Sequence, residues 1–311
     1  MKKILVTGGL GTVGHVLVKE LERKGNDVWV CDLLHHHSQK YFRCDIAQFR
    51  QLSEIFKKNK FDYVYNLAAE FGRWNGEDYF ENLWYTNCVG TKNLIRLQEQ
   101  LGYRLIHFSS SEVYGDYDGV MSEDVMDKYE IRQFNDYAMT KWVNEMQIMN
   151  SAAMHKTESV RVRLFNTYGP GEHYSPYRSV VCLFIYHALF GLPYKVFLGH
   201  HRTSSYVTDT VRTLGNIIDN FKPGEVYNIG GTEYHDIKYL SDLILKNVGR
   251  DDSIVNYIEN GEPFTTKDKR IDCSKAIRDL KHKPVITLED GISRTVEWMK
   301  GVYLKPAPEQ V

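Results

Sequence analysis

The 311-residue sequence has no apolar run of the ~18–20 residues needed to cross a bilayer. It opens directly on a strand-like segment, so no signal peptide is expected. Charge of one sign is also lacking: 39 Lys and Arg stand against 40 Asp and Glu, a formal net charge of −1. That balance argues against a nucleic-acid partner, whose phosphates call for a basic surplus. Cysteine is sparse. Cys31, Cys44, Cys88, Cys182 and Cys273 are scattered, odd in number and free of any C-x-x-C spacing. Free thiols in a reducing cytoplasm are therefore expected, and neither disulfides nor a metal site. No internal repeat or low-complexity stretch interrupts the chain. What remains, 42% hydrophobic and 25% charged, is the composition of an ordinary globular protein with one large or two modest domains.

Short apolar runs alternate with helical patterns through the first half. Lys3–Val6, Asp27–Cys31, Tyr63–Leu67, Arg104–Phe108 and Ser159–Leu164 read as strands, continuously apolar where both faces are to be covered. Amphipathic stretches around residues 16–21, 47–58, 88–101 and 137–149 read as the helices between them. Such alternation predicts a doubly wound parallel sheet with right-handed crossovers. After Gly169-Pro170-Gly171 the spacing loosens. The division expected is a dinucleotide-binding domain over residues 1–168 and a smaller mixed α/β lobe over 169–311. One strand, near 225–229, returns to the large sheet, and the last residues, from Lys305, read as a frayed tail.

Gly8-Gly9-x-Gly11-x-x-Gly14 lies where a Rossmann-type pyrophosphate site needs it, after the first strand and opening the first helix. Glycines admit a tight turn and a close backbone approach, and the helix N-terminus offers free N–H groups. Asp32 ends the second strand, placed to accept both ribose hydroxyls of NAD and to repel the 2′-phosphate of NADP. Asp45-Ile46 is expected beside the adenine. His35-His36-His37 carries no accompanying carboxylate or thiol pattern, so it reads as a solvated loop.

Tyr137-Ala138-Met139-Thr140-Lys141 sets a phenol and an ammonium four positions apart on one helical face. A nearby cation, together with an oxidised nicotinamide, is expected to lower the tyrosine pKa from ~10 toward neutrality. Such a tyrosine can take the proton of a sugar hydroxyl. Ser109-Ser110-Ser111-Glu112-Val113-Tyr114-Gly115 follows a strand, at the carboxyl edge where open α/β sheets gather their chemistry.

Together with Asn66-Leu67-Ala68-Ala69 and Arg163-Leu164-Phe165-Asn166-Thr167-Tyr168-Gly169-Pro170-Gly171, these motifs resemble the extended short-chain dehydrogenase/reductase family of NAD-dependent nucleotide-sugar epimerases and dehydratases. The likeness runs from the N-terminus to about Trp298. It implies Tyr137 as base, Lys141 as its partner and as a holder of the nicotinamide ribose, and Ser110 on the reacting hydroxyl. It implies cofactor contacts from Gly8, Gly11, Thr12, Val13, Gly14, Leu67, Ala68, Ala69, Asn87 and Ser109. Asn166, Arg202 and Arg270 would face a nucleotide-diphospho-sugar. Helices near 92–101 and 141–153 would form a four-helix homodimer interface. The chain departs from the family at Asn66, where His is usual, and at Thr12-Val13-Gly14-His15. It departs again at His200-His201 and in the Ser-for-Phe change of Arg202-Thr203-Ser204-Ser205-Tyr206, which makes the nucleotide pocket atypical.

Family members share oxidation at sugar C4. A 4,6-dehydratase then needs a base at C5 and an acid at C6, and Glu112 stands where dehydratases carry that base. Ser111 stands where many carry an aspartic acid. The expected reaction is 4,6-dehydration, with 4-epimerisation and UDP-glucuronate decarboxylation as the alternatives and a non-catalytic NAD sensor last.

Overall fold

The computed structural model describes residues 1–304, so the tail expected from Lys305 lies outside the described residues. Seven strands form the large sheet: β1 (Lys3–Thr7), β2 (Asp27–Asp32), β3 (Tyr41–Arg43), β4 (Tyr63–Asn66), β5 (Arg104–Ser110), β6 (Ser159–Leu164) and β7 (Val226–Ile229). All pair in parallel, in the order β7-β6-β5-β4-β1-β2-β3. The order reverses between β1 and β4, and ligands of open α/β sheets bind outside the strand ends at such a switch point.

Alternation along β1 shows how the layers are held. Ile4 and Val6 join a core with Leu17 and Leu21 of helix Gly14–Arg23 and with Val211 and Leu214 of helix Val207–Asn216. Leu5 points the other way, into a second core with Leu52 and Ile55 of helix Phe49–Lys58 and with Leu94 and Ile95 of helix Gly90–Leu101. Each fully buried Leu or Ile contributes about 1.5–3 kcal/mol over the exposed state.

The chain returns to the large sheet more broadly than one strand. Besides β7, helix Val207–Asn216 and helix Ser274–Leu280 cover the same face, through Val211, Leu214, Ala276 and Leu280. The smaller lobe has its own core, where helices Val180–Phe190, Ile237–Val248 and Leu288–Tyr303 meet through Ile185, Leu240, Ile244, Ile292 and Met299. Its four-stranded sheet, in the order Tyr234–Asp236, His201–Thr203, Asp268–Ile271, Val120–Met121, takes its last strand from the first half of the chain. The two halves are therefore stitched together next to the β5 end. All five cysteines are free. No helix among the described residues is long and apolar enough to cross a membrane.

Candidate active site

A cavity of about 900 Å³ runs along the carboxyl ends of the strands and into the smaller lobe. This is near the upper end of the ~300–1,000 Å³ of ordinary ligand pockets. Its dinucleotide end is shaped by the glycine turn. Gly8 has φ +68°, and a Cβ there would lie 2.7 Å from the Ala68 amide nitrogen; at Gly14 it would lie 2.1 Å from the Gly8 carbonyl oxygen. Backbone at these positions has to come this close, so only glycine fits. Val13 precedes helix Gly14–Arg23 and gives it no side-chain cap; the His15 amide donates to the Gly11 carbonyl at 3.0 Å, and an uncapped first turn of this kind favours an anion.

Gly11, Thr12, Val13, Asp32, Asp45, Ile46, Leu67, Ala68, Ala69 and Ser109 line the cavity with Gly8 and Gly14. The Asp32 carboxylate accepts from the Leu10 amide at 3.0 Å and from the Leu34 amide at 3.3 Å, fixing the loops on either side of it. Asp45 accepts from the Ala47 amide at 2.9 Å. These donors and openings fit NAD. Asn87 is not on the cavity wall. It sits in a π-helical turn, Tyr85–Val89, and its amide clasps the Glu70 backbone (2.9 and 3.0 Å) and the Thr140 hydroxyl (3.0 Å), bracing the Leu67–Glu70 segment from behind. Asn66, the departure from the family histidine, is buried and accepts from the Thr7 hydroxyl at 2.8 Å, tying β4 to β1. The three histidines at 35–37 stand on an exposed loop, and no group of three or more His, Cys, Asp or Glu among the described residues could hold a metal.

At the β5 end, helix Asp136–His155 begins on Asn135, whose side chain accepts from the Ala138 amide. That helix brings Tyr137 and Lys141 to the same wall as Ser110, Ser111 and Glu112. Lys141 is buried and its Nζ donates to the Phe108 carbonyl at 2.8 Å, 5.7 Å from the centre of the Tyr137 ring. Burial brings this ammonium down to about 8. Burial also acts on Tyr137 and, with the Glu112 carboxylate adding to it against a Ser110 hydrogen bond, pushes the phenol up to about 12. The lowered tyrosine pKa expected from sequence is thus absent in the protein alone. Loss of solvent outweighs a cation that points at a backbone carbonyl.

Glu112 lies among three cations. Lys269 Nζ donates to its Oε1. Burial raises the carboxyl, but Lys269, Arg73 and Arg202 together outweigh it and hold it below the usual carboxylate range. Lys269 is brought down to about 8, chiefly by burial. Arg202 lines the cavity, with one guanidinium nitrogen donating to the His201 and Lys267 carbonyls at 2.8 Å each. Asn166 also lines it, at φ +35°, a strained angle for a residue other than glycine. Arg270 does not. It lies on the outer face of strand Asp268–Ile271, 5.9 Å from the Tyr234 ring, while its neighbour Lys269 points inward. Sequence reading also passed over Arg73 and Arg178. Arg178 lines the cavity stacked 4.2 Å over Phe71, and its Nε is buried without a partner.

The model of the NAD dependent epimerase/dehydratase family matches residues 4–230. The chain belongs to that family. It is an NAD-dependent enzyme of the extended short-chain dehydrogenase/reductase type. Along 97% of its length it is 27% identical to a UDP-N-acetyl-alpha-D-glucosaminuronate decarboxylase of Bacillus cytotoxicus, covering 98% of that protein. It is 25% identical to a dTDP-glucose 4,6-dehydratase of Neisseria meningitidis serogroup B, over 96% of this chain and 93% of the other. The crystal structure of a UDP-glucuronic acid 4-epimerase from Bacillus cereus, in complex with UDP-glucuronic acid and NAD, superimposes with a TM-score of 0.86 at 26% identity, over 97% of this chain and all of that one (100%).

Proposed function

We propose that the chain converts a nucleotide-diphospho-sugar through a 4-keto intermediate, and that it removes water across C5 and C6 as a 4,6-dehydratase. Bound NAD supplies a hydride acceptor and, once reduced, a hydride donor, so the cycle needs no external oxidant. The remaining steps fall to the chain. Ser110 orients the C4 hydroxyl and Tyr137 takes its proton, with the Lys141 ammonium countering the phenolate charge that results. A ketone at C4 acidifies the C5 proton; Glu112 takes it as the C6 hydroxyl leaves as water with the proton Tyr137 took, and hydride then returns to C6 while the Glu112 proton returns to C5. Arg202 and Asn166 hold the nucleotide diphosphate end.

The observation that carries this reading is the position of Glu112: recessed, paired with Lys269, and on the cavity lining with Tyr137 and Ser110. A 4-epimerase has no use for a base at this position. The test is incubation with UDP-, dTDP-, GDP- and CDP-sugars followed by mass measurement. Loss of one water supports dehydration; an unchanged mass with inverted C4 sinks it.

Decarboxylation is the second reading, and Arg178 favours it. It lines the cavity with its Nε buried and unpartnered; Glu172 is near enough to feel its charge but forms no ion pair with it among the described residues, and a uronate carboxylate would give that nitrogen a partner. Loss of carbon dioxide in the same assay decides for it. We further propose a homodimer through the helices near 92–101 and 141–153. Val89, Met146 and Met149 stand exposed on or beside them, an apolar face suited to a second copy. Light scattering at half the expected mass would sink that. The free thiols suit a cytoplasmic setting, which fractionation tests.

A further inference from the structure

The segment 259–267 joins strand Val255–Ile258 to strand Asp268–Ile271 and has no regular structure of its own. It leaves the smaller lobe, crosses to the N-terminal half and returns, and Glu262 and Thr265 form part of the cavity wall. A few separate contacts hold it there. Arg73 donates to the Glu262 carboxylate at 2.9 Å and to the Pro263 carbonyl at 3.2 Å. The Phe264 ring meets Trp74 edge-on, with centroids 5.4 Å apart. The Glu262 amide donates to His200 Nε2 at 3.1 Å, and the Thr266 hydroxyl donates to the Gly115 carbonyl. Phe264 has φ +59°, a conformation that a side-chain-bearing residue holds only when its surroundings impose it.

One contact reaches the catalytic helix. Asn135 Nδ2 donates to the Phe264 carbonyl at 2.9 Å, while its Oδ1 accepts from the Ala138 amide at 2.7 Å. A single side chain thus caps the helix that begins beside Tyr137 and grips the crossing segment. Arg73, which ties the segment down, is also one of the cations acting on Glu112.

We infer that segment 259–267 is a strap that opens to admit the sugar nucleotide and closes on Arg73 and Trp74, with Asn135 and Arg73 reporting its closure to Tyr137 and Glu112. This rests on the reading of the cavity as a nucleotide-sugar site. The features suit a moving part: one backbone bond to a neighbouring strand, from the His201 amide to the Lys267 carbonyl at its very end, side-chain contacts made one at a time over residues 262–266, and a strained residue at the crossing point.

Hydrogen–deuterium exchange on the full NAD-loaded chain tests it. In ligand-free protein, Glu262→Gln and Trp74→Ala should each speed exchange in 259–267 about tenfold, and the charge swap Arg73→Glu with Glu262→Arg should recover most of the protection. UDP, dTDP, GDP and CDP are then added one at a time, with calorimetry alongside. A nucleotide that binds should slow wild-type strap exchange by about tenfold. Unchanged exchange in both single variants overturns the strap, as does a nucleotide that binds and leaves the segment's exchange unaltered. If none of the four binds, the nucleotide-sugar reading falls, and ligand-free exchange alone then decides whether the latch exists.

Discussion

Lys269 and Glu112, 157 positions apart in the chain, form an ion pair at the edge of the cavity. The strand carrying Lys269 pairs in parallel with Val120–Met121, which follows the Glu112 turn. A short strand from the first half is thus what delivers a cation from the last quarter to the proposed base. The pair does two things at once. It holds the half-buried carboxylate below its ordinary range, and it fixes the smaller lobe to the catalytic wall.

Removing the cation should therefore cost stability and move a titration. Lys269→Met leaves Glu112 recessed beside a neutral side chain, and breaking a buried pair from one side costs about 3–5 kcal/mol. In the native chain the Glu112 carboxyl lies below its ordinary value, so its share of stability is present above the unfolded-state value near 4.5 and is lost as pH falls through the lower folded one. In the variant Arg73 and Arg202 still oppose burial, but the nearest cation is gone and the folded value rises from its native position. The deficit is then full at neutral pH and shrinks as acid protonates the group. Thermal melts of both proteins between pH 4 and 8 should show a gap that closes toward the acid end. A gap independent of pH would mean that packing alone had been lost.

For Tyr137 the expectation concerns chemistry and not binding. Tyr137→Phe keeps the ring that lines the cavity and removes the phenol that shares the lining with Ser110 and Lys141. Turnover on the accepted sugar nucleotide should fall roughly 10²–10⁴-fold, with NAD affinity within about threefold of native. Near-native turnover would remove Tyr137 from the mechanism.

How much of this was legible beforehand follows from what each signal depends on. The glycine turn, Asp32, Ser110 and the Tyr137–Lys141 pair are local patterns: spacing along one strand end or one helix face sets their geometry, and they line one cavity. Lys269 and Arg270 show the opposite case. On a strand, adjacent side chains face opposite ways, so a one-residue uncertainty in register decides which cation reaches Glu112, and only the pairing with Val120–Met121 resolves it. Arg73 and Arg178 carry no spacing at all; the turn of the Leu67–Glu70 segment and the stacking on Phe71 bring them in. For Tyr137, sequence reveals a cation four residues away but not the solvent that the fold removes, which in the protein alone sets the phenol's direction.

Cofactor choice hangs on Asp32. Its carboxylate lines the cavity and is held from both sides by the Leu10 and Leu34 amides, so its position is fixed before any ligand arrives. Asp32→Asn keeps an acceptor for the loop and removes the charge. A hydrogen bond to a charged group contributes about 1.5–3 kcal/mol, so NAD affinity should weaken roughly 10–100-fold. Affinity for NADP should hold or improve, since its 2′-phosphate no longer meets a like charge. Fluorescence titration with both reduced cofactors gives the ratio, and an unchanged preference would show that Asp32 merely braces the loop.

Glu112→Gln separates the reactions. The amide keeps the size and most hydrogen-bonding capacity of the carboxylate but cannot accept a carbon-bound proton. If the chain is a dehydratase, C4 oxidation still proceeds, and the 4-keto sugar accumulates on the enzyme with the nicotinamide reduced, visible as absorbance that does not decay. Release of dehydrated product should fall by at least about a hundredfold. A 4-epimerase returns hydride to the same carbon and would keep most of its rate. A decarboxylase needs no proton taken from C5, because the bond that breaks there is to the carboxyl carbon. It should still release carbon dioxide, slowed only to the extent that Lys269, now facing a neutral amide, draws the substrate carboxylate out of position. Persistent reduced nicotinamide with no product is the outcome the dehydratase reading requires, and steady carbon dioxide release from a uronate would transfer the assignment to decarboxylation.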